Sequence, residues 1–262
     1  MIDTHAHLDQ LKDIDDALLT AKKEGVEEIV AVSIDVESSK KNLEISLKEN
    51  DNYPKVHLAF GVHPSEANVE KIDDCIELIR EHSSDLKAIG EIGLDFWYKW
   101  VKKDQQKKDE QIQVYSKLLE LAKELDLPAV IHSRGAWKQC FEIAKEINLK
   151  KVLFHWYSGP IDILEDILDS SFYISVTPSL GYSPQAQDAA KHAPMTRILI
   201  ETDTPVFYRN LNSADKEDGY SSEPKDVFKT LDLLSKIKDI DPQQASVIVN
   251  KNAIEFFNLG EN

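Results

Sequence analysis

Thiols are nearly absent from this sequence: among 262 residues only Cys75 and Cys140 occur. They sit far apart in the helix-like stretches KIDDCIELIR and WKQCFEIAK, which fit neither a CxxC redox pair nor a zinc ribbon. They read as buried or half-buried thiols of a reducing compartment. No apolar run approaches the roughly 18 residues that span a bilayer, so no membrane association is expected. The opening MIDTHAHLD has neither the basic nor the apolar region of a secretory leader, and the expectation is a cytoplasmic protein. Positive charge is scarce as well. Lys and Arg number 31 against 47 Asp and Glu, a net charge of −16 that argues against an extended basic binding face. A polyanionic substrate would have to be drawn by bound cations and a local basic patch. Internal repeats, low-complexity tracts and an early GxGxxG are missing too.

What is there is alternation. Short β-branched runs at residues 2–7, 27–33, 56–61, 88–94, 129–132, 152–155, 172–176 and 197–201 are separated by amphipathic stretches. In residues 104–125, for example, Ile112, Tyr115, Leu118, Leu119 and Ala122 recur at helical spacing. Eight such alternations without a break in composition predict an α/β fold, a (β/α)8 TIM barrel occupying residues 1–262 as one domain. Ser183-Pro184 and Asp241-Pro242 read as helix starts, the second with capping-box spacing to Gln244. Two loops are long, residues 95–103 and 204–223, and unstructured loops of that length are usually functional or disordered.

The chemistry-bearing residues fall at the predicted strand ends. His5 and His7 are two apart on the first strand, so both imidazoles face one way, toward the mouth of a barrel. Glu91 in IGEIGLD, His132 in PAVIHSR, His155 in KVLFHWYSG and Asp203 in RILIETDTP each follow an apolar run. Any one could be a hydrogen-bonded residue of a polar rim. Six imidazoles and carboxylates at five strand ends point instead to metal. The absence of thiolate disfavours a structural zinc site and suits Zn, Mn, Fe or Mg. Six ligands exceed the needs of one ion, whereas two divalent ions sharing a bridging carboxylate and a water would use them all.

The motifs DTHAHLD, AFGVHP, IGEIGLDF, PAVIHSR, FHWYSG, ILIETDTP and a final NxxxFF resemble, in order and over residues 2–259, the TatD family of metal-dependent deoxyribonucleases in the amidohydrolase superfamily. The resemblance implies that His5, His7 and Asp203 hold one ion, that His132 and His155 hold the second, and that Glu91 bridges them. It implies further that Asp203 orients or deprotonates the attacking water, and that His63 in GVHPS contacts the scissile phosphate. His63 could equally cap the next helix with Ser65. Arg134, with its fork of donors, suits a phosphate or a surface ion pair. The resemblance also places a basic residue near Arg209. Departures from the family pattern are Gly135, where an aspartate is frequent, and Ser222-Glu223-Pro224 in place of Asn-Glu-Pro. The loop before the latter is rich in acids (Asp215, Glu217, Asp218).

The one basic, aromatic segment is DFWYKWVKKDQQKK. In it Phe96, Trp97, Tyr98 and Trp100 could stack on bases, and Lys99, Lys102, Lys103, Lys107 and Lys108 could meet phosphates. Aromatics packed under the loop, with solvated lysines, are the alternative. The leading expectation is hydrolysis of DNA phosphodiesters, at single strands or 3′ ends, with two ions of Mg, Mn or Zn and no obligate protein partner. A carbonyl substrate, such as a D-aminoacyl-tRNA ester, an amide or a lactone, would use the same ligands. A metal-stabilised interaction module would be expected to lack ligands, and none of the six is lacking.

Overall fold

In the computed structural model, residues 1–48, 50–210 and 218–260 are described. Eight parallel strands pair in chain order: β1 (Ile2–Ala6), β2 (Glu28–Val32), β3 (Lys55–Phe60), β4 (Leu86–Gly93), β5 (Ala129–His132), β6 (Val152–Phe154), β7 (Tyr173–Val176) and β8 (Ile198–Ile200). The connecting helices are α1 (Ile14–Lys23), α2 (Val36–Ser46), α3 (Ile72–Glu81), α4 (Gln105–Glu124), α5 (Trp137–Ile147), α6 (Ile161–Asp169) and α7 (Pro184–His192), and α8 (Val227–Lys238) and α9 (Pro242–Phe257) follow β8. The ring closes between β1 and the segment after β8. Asp203 N–H donates to His5 O at 3.0 Å, His7 N–H donates to Thr204 O at 2.9 Å, and the Thr4 hydroxyl donates to Ile200 O at 2.9 Å. The fold is the expected (β/α)8 barrel.

The strands are buried on both faces, as parallel sheets are. One set of side chains, including Ile29, Leu58, Ile89, Ile131, Phe154 and Ile174, packs against the surrounding helices. The other set, including Val30, Ala59, Ala88, Val130, Leu153 and Leu199, packs together with Ala253, Phe256 and Phe257 of α9. The NxxxFF motif is thus structural. Asn252 Nδ2 donates to the carbonyls of Met195 and Ile198 at 2.7 and 2.8 Å, while the two phenylalanines fill the barrel floor.

Expected boundaries lie within three residues of those observed. Ser183 caps α7 through Ala186 N–H at 3.2 Å, and Asp241 caps α9 through Gln243 and Gln244 N–H at 2.9 and 3.2 Å. Only the Asp241 half of the expected capping box forms. Residues 204–223 are not wholly irregular, for β9 (Phe207–Arg209) and β10 (Gly219–Ser221) make an antiparallel ribbon. Asp215 and Glu217 lie outside the described residues. Asp218 accepts from Asn210 Nδ2 at 3.2 Å. Cys75 and Cys140 are free and buried, and burial pushes the Cys75 thiol up to about 12. Among the described residues no helix is long and apolar enough to cross a membrane.

Candidate metal centre

The C-terminal ends of the strands open into a cleft of about 570 Å³, lined among others by His7, His63, Glu91, His132, His155 and Asp203. Several of these residues stand just past regular strand. β1 ends at Ala6 and β6 at Phe154, so His7 and His155 occupy the turns, where the chain leaves the sheet. Asp203 and Trp156 have φ of +50° and +41°, the left-handed region that non-glycine residues seldom occupy. Such a conformation costs on the order of 1–3 kcal/mol and must be held by its surroundings. For Trp156 the restraint is explicit. Its N–H donates to Ser175 Oγ and Glu201 Oε1, and its indole N–H donates to Ser179 Oγ at 2.9 Å.

Glu91 is buried at the centre, and its two oxygens face different partners. Oε2 lies 3.5 Å from His5 Nε2 and 3.4 Å from His7 Nε2, and both nitrogens are also 3.4 Å from Asp203 Oδ1. A tetrahedral shell with bonds of about 2.0–2.1 Å places its donor atoms roughly 3.4 Å apart, so these four atoms have the spacing of a metal cage. His5 Nε2 is fully buried and has no hydrogen-bond partner among the described residues. Buried polar atoms without partners are rare and call for a ligand, and a cation fits this set.

Glu91 Oε1 meets the second group. It is 2.8 Å from His132 Nδ1 and 2.7 Å from His155 Nε2, and those two nitrogens are 3.3 Å apart. Two of these separations are hydrogen-bond lengths. To surround an ion, this group must open by roughly half an ångström at those edges.

The electrostatics are those of carboxylates sharing imidazolium protons. Burial opposes ionisation of Glu91, but the charge of His155 and the bonds from His132 and His155 hold its carboxyl well below the usual range. Burial also disfavours charge on His7, yet Asp203 and Glu91 outweigh it and lift His7 to about 10. His63 differs: burial dominates and pushes it down to about 3. Its Nδ1 accepts from Ser65 N–H at 3.0 Å, which leaves the proton of the neutral ring on Nε2, 3.8 Å from Glu91 Oε1. The capping and the cleft-facing readings of His63 therefore coexist on opposite ring nitrogens.

Two carboxylates that the motif reasoning left unassigned orient the imidazoles. Asp95 Oδ2 accepts from His132 Nε2 and from Arg134 Nε, both at 2.8 Å. Glu201 Oε1 lies 3.3 Å from His155 Nδ1. Both stand inside quoted motifs, IGEIGLDF and ILIETDTP, immediately after apolar strand residues. That position was the available signal.

Of the expected substrate contacts, Arg134 lines the cleft with its guanidinium 5.0 Å from the Tyr98 ring. Trp97 lines it too and is 58% exposed. Arg209 is exposed on β9 and does not line the cleft. The loop lysines do not line it either. Lys107 pairs with Glu110 at 2.7 Å, and Lys108 lies over the half-buried Phe96.

A parallel barrel that gathers four imidazoles and two carboxylates at its strand ends has the make-up of a metal-dependent hydrolase. The family model described as "TatD related DNase" matches residues 2–258, and the chain belongs to that family. It is 29% identical to human Deoxyribonuclease TATDN3, with 98% of this chain and 94% of that protein covered. It is 30% identical to an uncharacterized metal-dependent hydrolase of Methanocaldococcus jannaschii, covering 98% and 96% of the two chains. Among solved structures, a hydrolase TatD family protein from Entamoeba histolytica has the same fold. The TM-score is 0.83 at 24% identity, over 98% of this chain and 97% of that one. The chain is a metal-dependent hydrolase.

Proposed function

We propose that this hydrolase cleaves phosphodiester bonds of DNA, at single strands or 3′ ends, with two divalent ions (Mg, Mn or Zn) in the cleft. The observation that carries the reading is the division of Glu91, whose oxygens face two separate donor groups. His5, His7 and Asp203 with Oε2 would hold one ion, and His132 and His155 with Oε1 the other. When bound, such ions acidify water and offset charge on phosphate oxygens.

The side chains then have distinct tasks. Asp203, an ionised carboxylate at the mouth, accepts the proton of the water that attacks phosphorus. Burial raises its pKa, but His7, His5 and His155 bring it below the ordinary aspartate value, so it is ionised and able to accept a proton near neutrality. His63 offers its Nε2–H to a phosphate or leaving oxygen. Arg134, fixed through Nε by Asp95, keeps its outer donors for a second phosphate oxygen. The DNase description of the family and the name of the human relative support this substrate.

The test is cleavage of single-stranded DNA by protein reconstituted with Mg, Mn or Zn, beside Glu91→Ala and His155→Ala. Cleavage by the wild type alone is expected. Rates no higher than the variants' with all three metals would refute the reading, as would faster hydrolysis of a D-aminoacyl ester than of the oligonucleotide.

A further inference from the structure

Two tryptophans of the cleft rest on glycine backbone. A Cβ on Gly135 would stand 2.2 Å from Cδ1 of Trp97, and a Cβ on Gly159 would stand 2.7 Å from Cγ of Trp137. Both separations are far inside contact, so any larger residue at either place must push an indole aside. Gly135 has in addition a φ of +75°, which disfavours every side chain. The two rings meet edge to face, 5.6 Å between centroids at 90°, and both line the cleft with His132 and Arg134.

The neighbouring aromatics are already engaged. Tyr98 carries Arg134 at 5.0 Å and stacks on Trp100 at 5.4 Å, and the Trp156 indole is tied to Ser179. Trp97, by contrast, is 58% exposed beside the chemistry. A large ring left facing solvent there contributes little to the core. Its shape and its π-face suit a planar, π-faced group of a ligand.

We propose that Trp97 and Trp137, seated on Gly135 and Gly159, form a shelf that stacks one nucleobase beside the scissile phosphate. Gly135 is then a residue that makes room for the shelf. The proposal rests on the phosphodiesterase reading for its substrate and adds the base as a recognised part.

The experiment compares two short single strands that differ only in whether the terminal nucleotide carries a base or is abasic. Cleavage by wild type, Trp97→Ala and Gly135→Ala is measured, with metal content checked for each. Wild type is expected to favour the base-bearing strand in kcat/KM by roughly tenfold or more, the scale of one base–aromatic stack. Both variants should lose that preference, through KM more than kcat. Trp97→Ala changes an exposed side chain and decides the matter should Gly135→Ala fold poorly. Binding of deoxyadenosine monophosphate against deoxyribose 5-phosphate in Mg buffer, followed by tryptophan fluorescence, needs no turnover. Tighter binding of the base-bearing ligand, lost in Trp97→Ala, upholds the shelf even if no DNA is cut. An active nuclease whose base preference survives Trp97→Ala, or a wild type indifferent to the base in both assays, overturns it.

Discussion

His7 and His132 show how single residues in this cleft depend on the charges facing them. With His7 at about 10, its imidazole is protonated at neutral pH until a cation takes the place of the proton. Loading should therefore release protons, and apparent affinity should rise with pH throughout the range below about 10. Calorimetric titration with Mn in two buffers of different ionisation enthalpy checks this, release of at least one proton being expected when a cation displaces the proton of His7. Asp95 acts on His132 from the other side, accepting the Nε2 proton and so turning Nδ1 toward Glu91. If two ions bind as proposed, Asp95→Asn is expected to weaken the one at His132 and His155 by about 10–100-fold, with the other less affected. A titration that resolves two binding steps distinguishes them. At this scale the candidate ligands were legible, because an imidazole or carboxylate after an apolar run has few bland explanations when six recur. Asp95 and Glu201 were not, since their role lies in which nitrogen they face, and that depends on contacts 37 and 46 residues away in sequence.

Elements were legible where the pattern ran long enough. β5 was expected at its observed bounds and α4 within one residue at each end, because buried strands and a 20-residue amphipathic helix leave strong periodic traces. The ribbon of β9 and β10 was not. Three-residue strands carry no period, and their pairing across the acidic loop is a tertiary fact. α9 supplies part of the barrel's interior. Phe256 and Phe257 are each 1% exposed against the strand interior. Phe256→Ala should destabilise the protein by about 3–5 kcal/mol, measured by urea unfolding. Asp241→Ala removes only a cap and should destabilise by about 1 kcal/mol.

At the scale of the whole molecule, the net charge of −16 would set the proposed polyanionic substrate against the protein's own field. Bound cations then serve attraction as well as chemistry. They should also add stability by mass action, about 2.7 kcal/mol at a hundredfold excess over Kd. Chelation is expected to lower the melting temperature by roughly 5–10 °C, while the far-ultraviolet circular dichroism at 25 °C stays unchanged. Loss of the dichroism on chelation would show that the apolar barrel does not stand without its ions.

The closure of that barrel also reaches back to synthesis. Ile2 N–H donates to Asn250 Oδ1 at 3.0 Å, Asp203 reaches His5, and the floor is filled by residues 253–257. A nascent chain on the ribosome can build helices and neighbouring strand pairs as it emerges, but the ring cannot begin to close until β8 is out, and its closing bonds are complete only with residue 204. It has nothing with which to cover the floor until residue 257 is out. Any product that stops short of that point displays an apolar hollow, the kind of surface that aggregates or engages chaperones. During synthesis, His5 and His7 of the first strand thus wait for Asp203, beyond the eighth, before the candidate metal cage is complete.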